Sequence, residues 1–256
     1  MIRVLSFVGS GAGAASHTKE LSDRLVAAFE RLAQERGEQV SYECLTGADL
    51  RVSFCRSCNS CFRTGACPLD ATDDVGSLKD KILAANVVLF GSPVYLWEMS
   101  GVAKAVLDRI SFWSHRLELA GKAGMVLVTA SNNHGPELEG HLRELLQFMG
   151  LAMPEGLVGL LHAKPRMDVP EESDPVIEAA AERLLAAWED PESCLAPQQE
   201  LIFKQVRLNT RQAFMRHLLS GRELGEEARV MNERRVGSYD TLAEYVRARR
   251  EVAASS

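Results

Sequence analysis

The stretch NVVLFGSPVYLWEMSGVAKAVLDRI, residues 86–110, contains a strand pattern, a loop and a helix pattern in succession. Residues 86–91 form an unbroken apolar run, which is typical of a strand buried on both faces of a parallel sheet. In the helix pattern that follows, Val102, Val106 and Ile110 recur at i, i+4 and i+8 and share one face. A buried strand followed by an amphipathic helix predicts one unit of an α/β fold.

The rest of the first 190 residues repeats this alternation. Further strand patterns cover residues 2–8, 40–45, 123–130 and 157–161, and further helix patterns cover residues 16–37, 75–85, 138–148 and 174–188. Five such units predict a doubly wound, five-stranded parallel sheet of order 2-1-3-4-5. Sheets of this kind bind ligands beyond the carboxyl ends of their strands, so the loops after the first, third and fourth strands are the candidate binding loops.

The composition is that of an ordinary globular protein, with 46% apolar and 25% charged residues. The net charge of −6 argues against a nucleic-acid partner. No apolar run is long enough to span a bilayer, and the apolar start of the chain is too short for a signal peptide. We therefore expect a cytoplasmic protein, in which clustered cysteines serve metal or redox chemistry rather than disulfides.

The first candidate loop, residues 9–18, reads GSGAGAASHT and precedes a helix. Small residues let the backbone approach an anion, and Ser10, Ser16 and Thr18 offer hydroxyl donors beside a helix N-terminus. This pattern suits one phosphate monoester, because it lacks both the P-loop lysine and the dinucleotide fingerprint. A plain turn with Ser16 as the helix N-cap fits the residues equally well.

The third-strand loop, residues 91–101, is apolar and aromatic, as a flat hydrophobic ring system would require at a sheet edge. A buried loop that packs on the next helix is the alternative. The fourth-strand loop, residues 129–135, is polar and contains Gly135. Its histidine, His134, is expected to be solvated.

Residues 91–109 are similar, nearly residue for residue, to the Gly-Ser-Pro-Val-Tyr…Lys…Asp-Arg signature of the NAD(P)H-dependent FMN reductase family of flavodoxin-like proteins. The resemblance extends over about residues 1–190 and implies FMN, with NAD(P)H as co-substrate. It implies FMN contacts from Ser10, Ser16, His17 and Thr18, from Pro93, Val94, Tyr95, Leu96 and Trp97, and from Ser131, Asn132, Asn133 and Gly135. Asp108 and Arg109 would be structural. The first loop departs from the family pattern, since it lacks the usual Pro-Arg pair and has His17 where Asn is common.

The cysteine pattern Cys55-x2-Cys58-x2-Cys61-x5-Cys67-Pro68 has the rhythm of a ferredoxin-type cluster motif. It resembles the compact motif of the iron–sulfur flavoproteins, a branch of the same superfamily, including the acidic pair that follows at 73–74. The resemblance implies that these cysteines ligate one [4Fe–4S] cluster. Metal-free thiols and a zinc site are the alternatives. Cys44 and Cys194 are isolated and predicted to pack.

No triad, paired carboxylates or zinc-protease motif stands out, so we predict no catalytic side chain and expect a cofactor to supply the chemistry. One functional prediction is an FMN-dependent oxidoreductase that passes electrons from NAD(P)H to a small acceptor, either from the flavin itself or through the cluster. The alternative is an electron-transfer iron–sulfur flavoprotein that serves a protein partner. A module that has lost its flavin is a third alternative.

The predicted domains are a flavodoxin-like FMN-binding domain over residues 1–190, with a cysteine-rich insertion at 51–74, and a helical extension over 198–256. Within the extension, residues 201–219 form an amphipathic pattern, and residues 239–250 form a second helix pattern. By resemblance we expect the extension to wrap a second subunit in a homodimer or homotetramer. The alternative is a helix that folds back on its own domain.

Overall fold

The computed structural model describes residues 1–131, 134–160, 174–221 and 223–254. Its strands are β1 (Ile2–Val8), β2 (Val40–Thr46), β3 (Val87–Tyr95), β4 (Glu98–Met99), β5 (Ala123–Ala130) and β6 (Leu157–Leu160). The order β2-β1-β3-β5-β6 is parallel throughout, and β4 pairs antiparallel with β3. The parallel strands therefore have the predicted 2-1-3-4-5 order, and the fold is flavodoxin-like. Residue 161, the predicted end of the last strand, lies outside the described residues.

The helices are α1 (His17–Glu35), α2 (Ser60–Thr64), α3 (Val75–Ala84), α4 (Gly101–Ile110), α5 (Gly135–Phe148), α6 (Asp174–Glu189), α7 (Pro197–Ser220), α8 (Glu226–Glu233) and α9 (Leu242–Ala254). In β3, Val87 and Leu89 face a core shared with α1 and α6. Val88 and Phe90 face the opposite core, shared with α3, α4 and α5. Because successive strand residues point to opposite faces, the unbroken apolar run serves both helix layers.

The extension packs against its own chain. Phe203 of α7, Met231 of α8 and Tyr245 of α9 form a third core with Leu117 and Ala120, which lie within the first 190 residues. The buried Gln199 side chain donates to the backbone carbonyls of Gln147 in the last turn of α5, at 3.0 Å, and of Leu151 just after that helix, at 3.1 Å. The extension therefore folds back on its own domain, which was the alternative drawn from the sequence. An additional role in oligomerisation stays a prediction.

The predicted apolar face of α7 differs in burial between the two halves of the helix. Its first half is buried, including Phe203 and Val206, whereas Phe214, Met215, Leu218 and Leu219 in its second half are exposed. The basic side chains of α7 hold the extension together, since Arg207 binds Asp240 at 2.7 Å and Arg211 donates to a backbone carbonyl at 2.8 Å. Two short helices were not predicted from the sequence, α2 within the cysteine-rich segment and α8 in the extension, and they contact each other. No helix in the described part of the chain is long and apolar enough to cross a membrane.

Candidate functional site

The loop after β1 is held against β3 and against the N-cap of α4. The Gly9 amide donates to the Gly91 carbonyl at 2.8 Å, and the Ser100 hydroxyl donates to the Gly9 carbonyl. A Cβ on Gly9 would lie 2.6 Å from the Cβ of Ala103 in α4. Only glycine allows this approach, so the small residues of the first loop set the spacing between the two binding loops.

All three predicted hydroxyl residues of the first loop have internal hydrogen-bond partners. Ser16 caps α1 by accepting the Lys19 amide at 3.3 Å, and the Thr18 hydroxyl lies 2.6 Å from that of Thr129 at the end of β5. Ser10 is buried and accepts a backbone amide from within its own loop at 3.3 Å. His17 is partly exposed, 3.7 Å from Glu20. The cap interpretation of Ser16 is confirmed, and Thr18 joins the first and fourth loops.

The first loop nevertheless keeps the features of an anion site. A Cβ on Gly11 would meet no atom within 4 Å, so the loop surface is open there. The backbone amides of His17 and Thr18 belong to the first turn of α1, where helix geometry leaves N–H groups without intrahelical acceptors. Amides and helix dipole together favour a phosphate at this position.

The loop after β3 is a tight hairpin. β3 continues to Tyr95, and Leu96 and Trp97 both have positive φ, 47° and 70°, before β4 returns. Two consecutive positive φ values are those of a type I′ turn. Leu96 is 97% exposed and Trp97 63%, whereas Pro93 and Val94 are half-buried. A buried loop that packs on the next helix does not describe residues 95–97, since all three side chains are exposed.

The loop after β5 reaches the hairpin through His134. The ring centroids of His134 and Trp97 lie 4.4 Å apart at an interplanar angle of 32°. His134 has a positive φ of 62° and precedes α5 as its N-cap. Ser131 is exposed, Gly135 is buried against Val158, and residues 132–133 lie outside the described residues. Sequence reasoning missed the His134–Trp97 pair because the two residues are far apart in the chain.

The cysteine-rich segment is anchored by a buried arginine in α4. Arg109 donates to Asp73 at 2.6 Å, to Asp70 at 2.6 Å and to the Ser53 carbonyl at 3.2 Å. Burial alone would raise the pKa of Asp73, but hydrogen bonds from Arg109 and from the Ser53 and Val75 amides hold it at about 2. Arg109 is thus structural, as the resemblance implied, and its partners tie both ends of the segment to α4.

The four predicted cysteine ligands line one cavity of about 200 Å³, together with Phe62, Leu69 and Arg109. Cys55 and Cys58 are exposed, and Cys61 and Cys67 are partly buried. Burial raises the pKa of the Cys61 thiol, and the nearby thiols of Cys67 and Cys55 raise it further.

The four thiols share the cavity without forming a ligand sphere. Among the described residues, no three His, Cys, Asp or Glu side chains are arranged as a metal site. Convergence in one cavity suits the all-thiolate donor set of an iron–sulfur cluster, although the sulfur atoms would have to draw closer to bind one. Outside this group, Cys44 and Cys194 are both partly buried, and Cys194 packs against the α1–α6 core.

Comparison with known proteins adds relatives of two kinds. The chain is 31% identical over 172 residues to the FMN-dependent NADH:quinone oxidoreductase 2 of Pseudomonas aeruginosa, which covers 59% of this chain and 82% of that protein. It is 35% identical over 101 residues to an iron–sulfur flavoprotein of Methanocaldococcus jannaschii, covering 39% of this chain and 51% of the relative. A similar protein of Archaeoglobus fulgidus is 28% identical over 102 residues, covering 40% and 46%. The chain therefore spans about half the length of these two iron–sulfur flavoproteins.

A solved NADH:FMN oxidoreductase in its apo form superimposes with a TM-score of 0.55 over 73% of this chain and 90% of that one, at 20% identity. At this identity the match concerns the fold alone. The family model of NADPH-dependent FMN reductases matches residues 2–164, which include every strand of the sheet and all three candidate binding loops. The chain belongs to the NADPH-dependent FMN reductase family.

Proposed function

We propose that this protein is an FMN-dependent oxidoreductase that takes electrons from NAD(P)H and passes them to a small acceptor. The observation that carries the proposal is that the loop after β1 with the start of α1, the β3–β4 hairpin and the loop after β5 meet at the carboxyl edge of the sheet. Gly9 binds Gly91, Thr18 binds Thr129, and Trp97 stacks on His134. This is the sheet edge at which doubly wound folds bind their ligands.

In this proposal the phosphate of FMN lies on the open first loop and the first turn of α1. The nearby lysine is already paired, since Lys19 binds Asp23 at 2.5 Å, and His17 lies beside Glu20. Backbone amides and the helix dipole would therefore carry most of the phosphate binding. One phosphate, rather than the two of a dinucleotide, suits a loop with this set of donors.

The flavin ring would lie against the hairpin tip, beside Tyr95 and Trp97. The His134 ring packs against Trp97 and would hold it in place. When bound, the flavin supplies hydride and electron transfer. The chain itself binds and orients the ring, and the exposed hairpin leaves one side accessible to donor and acceptor in turn. No side chain of this edge is proposed as an acid or base.

We further propose that Cys55, Cys58, Cys61 and Cys67 hold a [4Fe–4S] cluster that exchanges electrons with the flavin. Their shared cavity and the anchoring of both ends of the segment by Arg109 support this proposal. The reduced thiols this requires are those of a cytoplasmic protein. The exposed end of α7 is the surface proposed for a homodimer or homotetramer.

Anaerobic purification followed by counts of flavin, iron and sulfide per chain tests the cofactors. We expect FMN and not FAD on denaturation, and iron with sulfide in equal amounts. Stoichiometric FAD would refute the single-phosphate site, and protein without iron or sulfide would refute the cluster. Steady-state oxidation of NADH and of NADPH, with a quinone as acceptor, tests the activity.

An electron-transfer protein that serves a protein partner is the second candidate, and the exposure of the cysteine segment favours it. Phe54 is 78% exposed beside the exposed Cys55, so an apolar contact and two thiols are available to another protein. A carrier of this kind would hold flavin and cluster yet oxidise NAD(P)H negligibly with small acceptors. The same steady-state assay therefore separates the two candidates.

A further inference from the structure

A second cavity, of about 500 Å³, lies between α3, the segment 65–70 and the turn that follows α4. Its walls include Gly65, Lys79, Phe112, Trp113 and Arg116. None of its lining residues belongs to the loops after β1, β3 or β5, so it is separate from the flavin edge. Its volume is within the range of small-molecule binding sites.

Arg116 is the unusual member of this cavity. The residue is 7% exposed, and its Nη2 is buried with no hydrogen-bond partner. Its guanidinium carbon lies 5.2 Å from the centroid of the Phe112 ring, and a Cβ on Gly65 would lie 3.2 and 3.3 Å from its two terminal nitrogens. The guanidinium is therefore held in place by packing, and the two N–H groups of its Nη2 have no acceptor.

Of the four other charged residues that line the cavity, three are in ion pairs. Lys79 binds Asp70 at 2.8 Å, and Glu118 is paired with Arg234. Asp80 is exposed. Among the described residues that line the cavity, Arg116 is the cation without a carboxylate partner. Arg116 is thus buried without an ion pair of its own, and the nearby carboxylate of Glu226, whose Oε1 lies 3.1 Å from the same Cβ position on Gly65, is bonded to Arg229.

We propose that this cavity binds a small organic oxyanion, whose oxygen accepts hydrogen bonds from Arg116. The planar guanidinium recognises carboxylate and phosphate oxygens equally well in geometry, so the shared chemistry is an oxyanion on a small body. The rings of Phe112 and Trp113 on the wall suit an apolar or aromatic body attached to that group.

The site adjoins the thiols without overlapping them. Ala66 and Asp70 line this cavity, whereas Cys67 and Leu69, from the same short segment, line the thiol cavity. A bound oxyanion would thus lie across segment 66–70 from the cysteines, which makes it a neighbour of the proposed cluster rather than a flavin ligand.

Calorimetric titration of the FMN-loaded protein with benzoate, and separately with inorganic phosphate, tests the proposal. We expect saturable binding of at least one probe, with flavin absorption unchanged, and the tighter probe identifies the oxyanion. Arg116→Gln should weaken that binding about tenfold or more, the loss expected for one charged hydrogen bond. Arg63→Gln, at an exposed arginine of α2, is the matched control and should bind like the wild type.

Equal affinity in wild type and Arg116→Gln would overturn the proposal, as would the absence of saturable binding by both probes. Should Arg116→Gln fail to fold, wild-type crystals soaked with 4-iodobenzoate give an independent answer. Iodine located by anomalous scattering beside Phe112 and Arg116 supports the site. Iodine elsewhere, or none, refutes it.

Discussion

The two candidate cofactor regions are held in opposite ways. At the flavin edge the loop after β1 and the start of α1 bind the neighbouring strands and the N-cap of α4 directly, through Gly9 and Gly91, Thr18 and Thr129, and the Ser100 hydroxyl. In the cysteine segment the thiols line a cavity. The segment is held in place by Arg109 of α4, which binds Asp70 and Asp73. The flavin edge is therefore shaped by contacts of its own backbone, whereas the cysteine segment is fixed at its base by the ion pairs of Arg109.

This difference has a chemical reason. A phosphate is recognised by preorganised amides, so its loop must have its final shape before the ligand arrives. A cluster is held by the thiolates it bonds to, so the protein needs only to bring them near each other and can leave the last movement to ligation. The left-handed backbone of Ser57 and Asn59, with φ of 52° and 56°, marks where the chain between the thiols is least regular.

Removal of the base anchor, the ion pairs of Arg109 with Asp70 and Asp73, should have the largest effect. Arg109→Met leaves the carboxylates of Asp73 and Asp70 without their buried partner, and we expect a loss of about 3–5 kcal/mol in unfolding free energy. Urea unfolding measures it. Lys104→Met, which breaks the exposed pair with Asp108 on the same helix, should cost less than about 1 kcal/mol. Similar losses in both variants would show that the base anchor is not special.

Cysteine substitutions act at the other end of the same segment. Changing any one of Cys55, Cys58, Cys61 or Cys67 to Ser should remove most of the iron and sulfide from anaerobically purified protein, because the four form one donor set. FMN content should stay unchanged, since the flavin edge is built from other elements. Cys44→Ser and Cys194→Ser are the controls, and iron loss in either would contradict the assigned ligand set.

The flavin edge offers a smaller, graded effect. Trp97→Ala removes the ring that stacks on His134, and we expect FMN to bind several-fold more weakly, on the scale of about 1 kcal/mol for one aromatic contact. Fluorescence titration of the apoprotein with FMN measures it, with Trp97→Phe as the conservative control. Wild-type affinity in Trp97→Ala would mean that the hairpin tip is not part of the flavin site.

Most of the fold could be predicted from the sequence because its strands and helices show local hydrophobic periodicity. The apolar strands and amphipathic helices over residues 1–160 follow from residue spacing alone. The end of β3 was missed, since Gly91, Ser92 and Pro93 are turn-forming residues. Pairing with β5 continues to the Pro93–Thr129 register and the hairpin with β4 to Tyr95, so tertiary pairing overrode the local signal.

The site was predicted less completely, because its decisive contacts are long-range. Arg109 and its partners Asp73 and Asp70 are 36 and 39 residues apart, and nothing in their spacing signals a bond. Hydroxyl residues of the first loop were predicted as ligand donors from their type. The structure gives Ser16 and Thr18 internal partners, which a sequence motif cannot distinguish from ligand contacts.

The smallest expected effect concerns pH, and it separates the two regions cleanly because the Thr18–Thr129 contact of the flavin edge has no charge to titrate. The pKa of Asp73 is about 2 in the folded protein, below its ordinary value of 3.8. A depressed folded pKa adds stability above the ordinary value, and that stability is lost as the pH falls from there toward 2. Wild-type protein should therefore lose unfolding free energy more steeply over this acid window than Asp73→Asn does, as measured by urea unfolding at several pH values. Asp108→Asn, at a partly exposed carboxylate on α4, should keep the wild-type slope. If Asp73→Asn also keeps that slope, the base anchor contributes packing rather than charge to the cysteine segment.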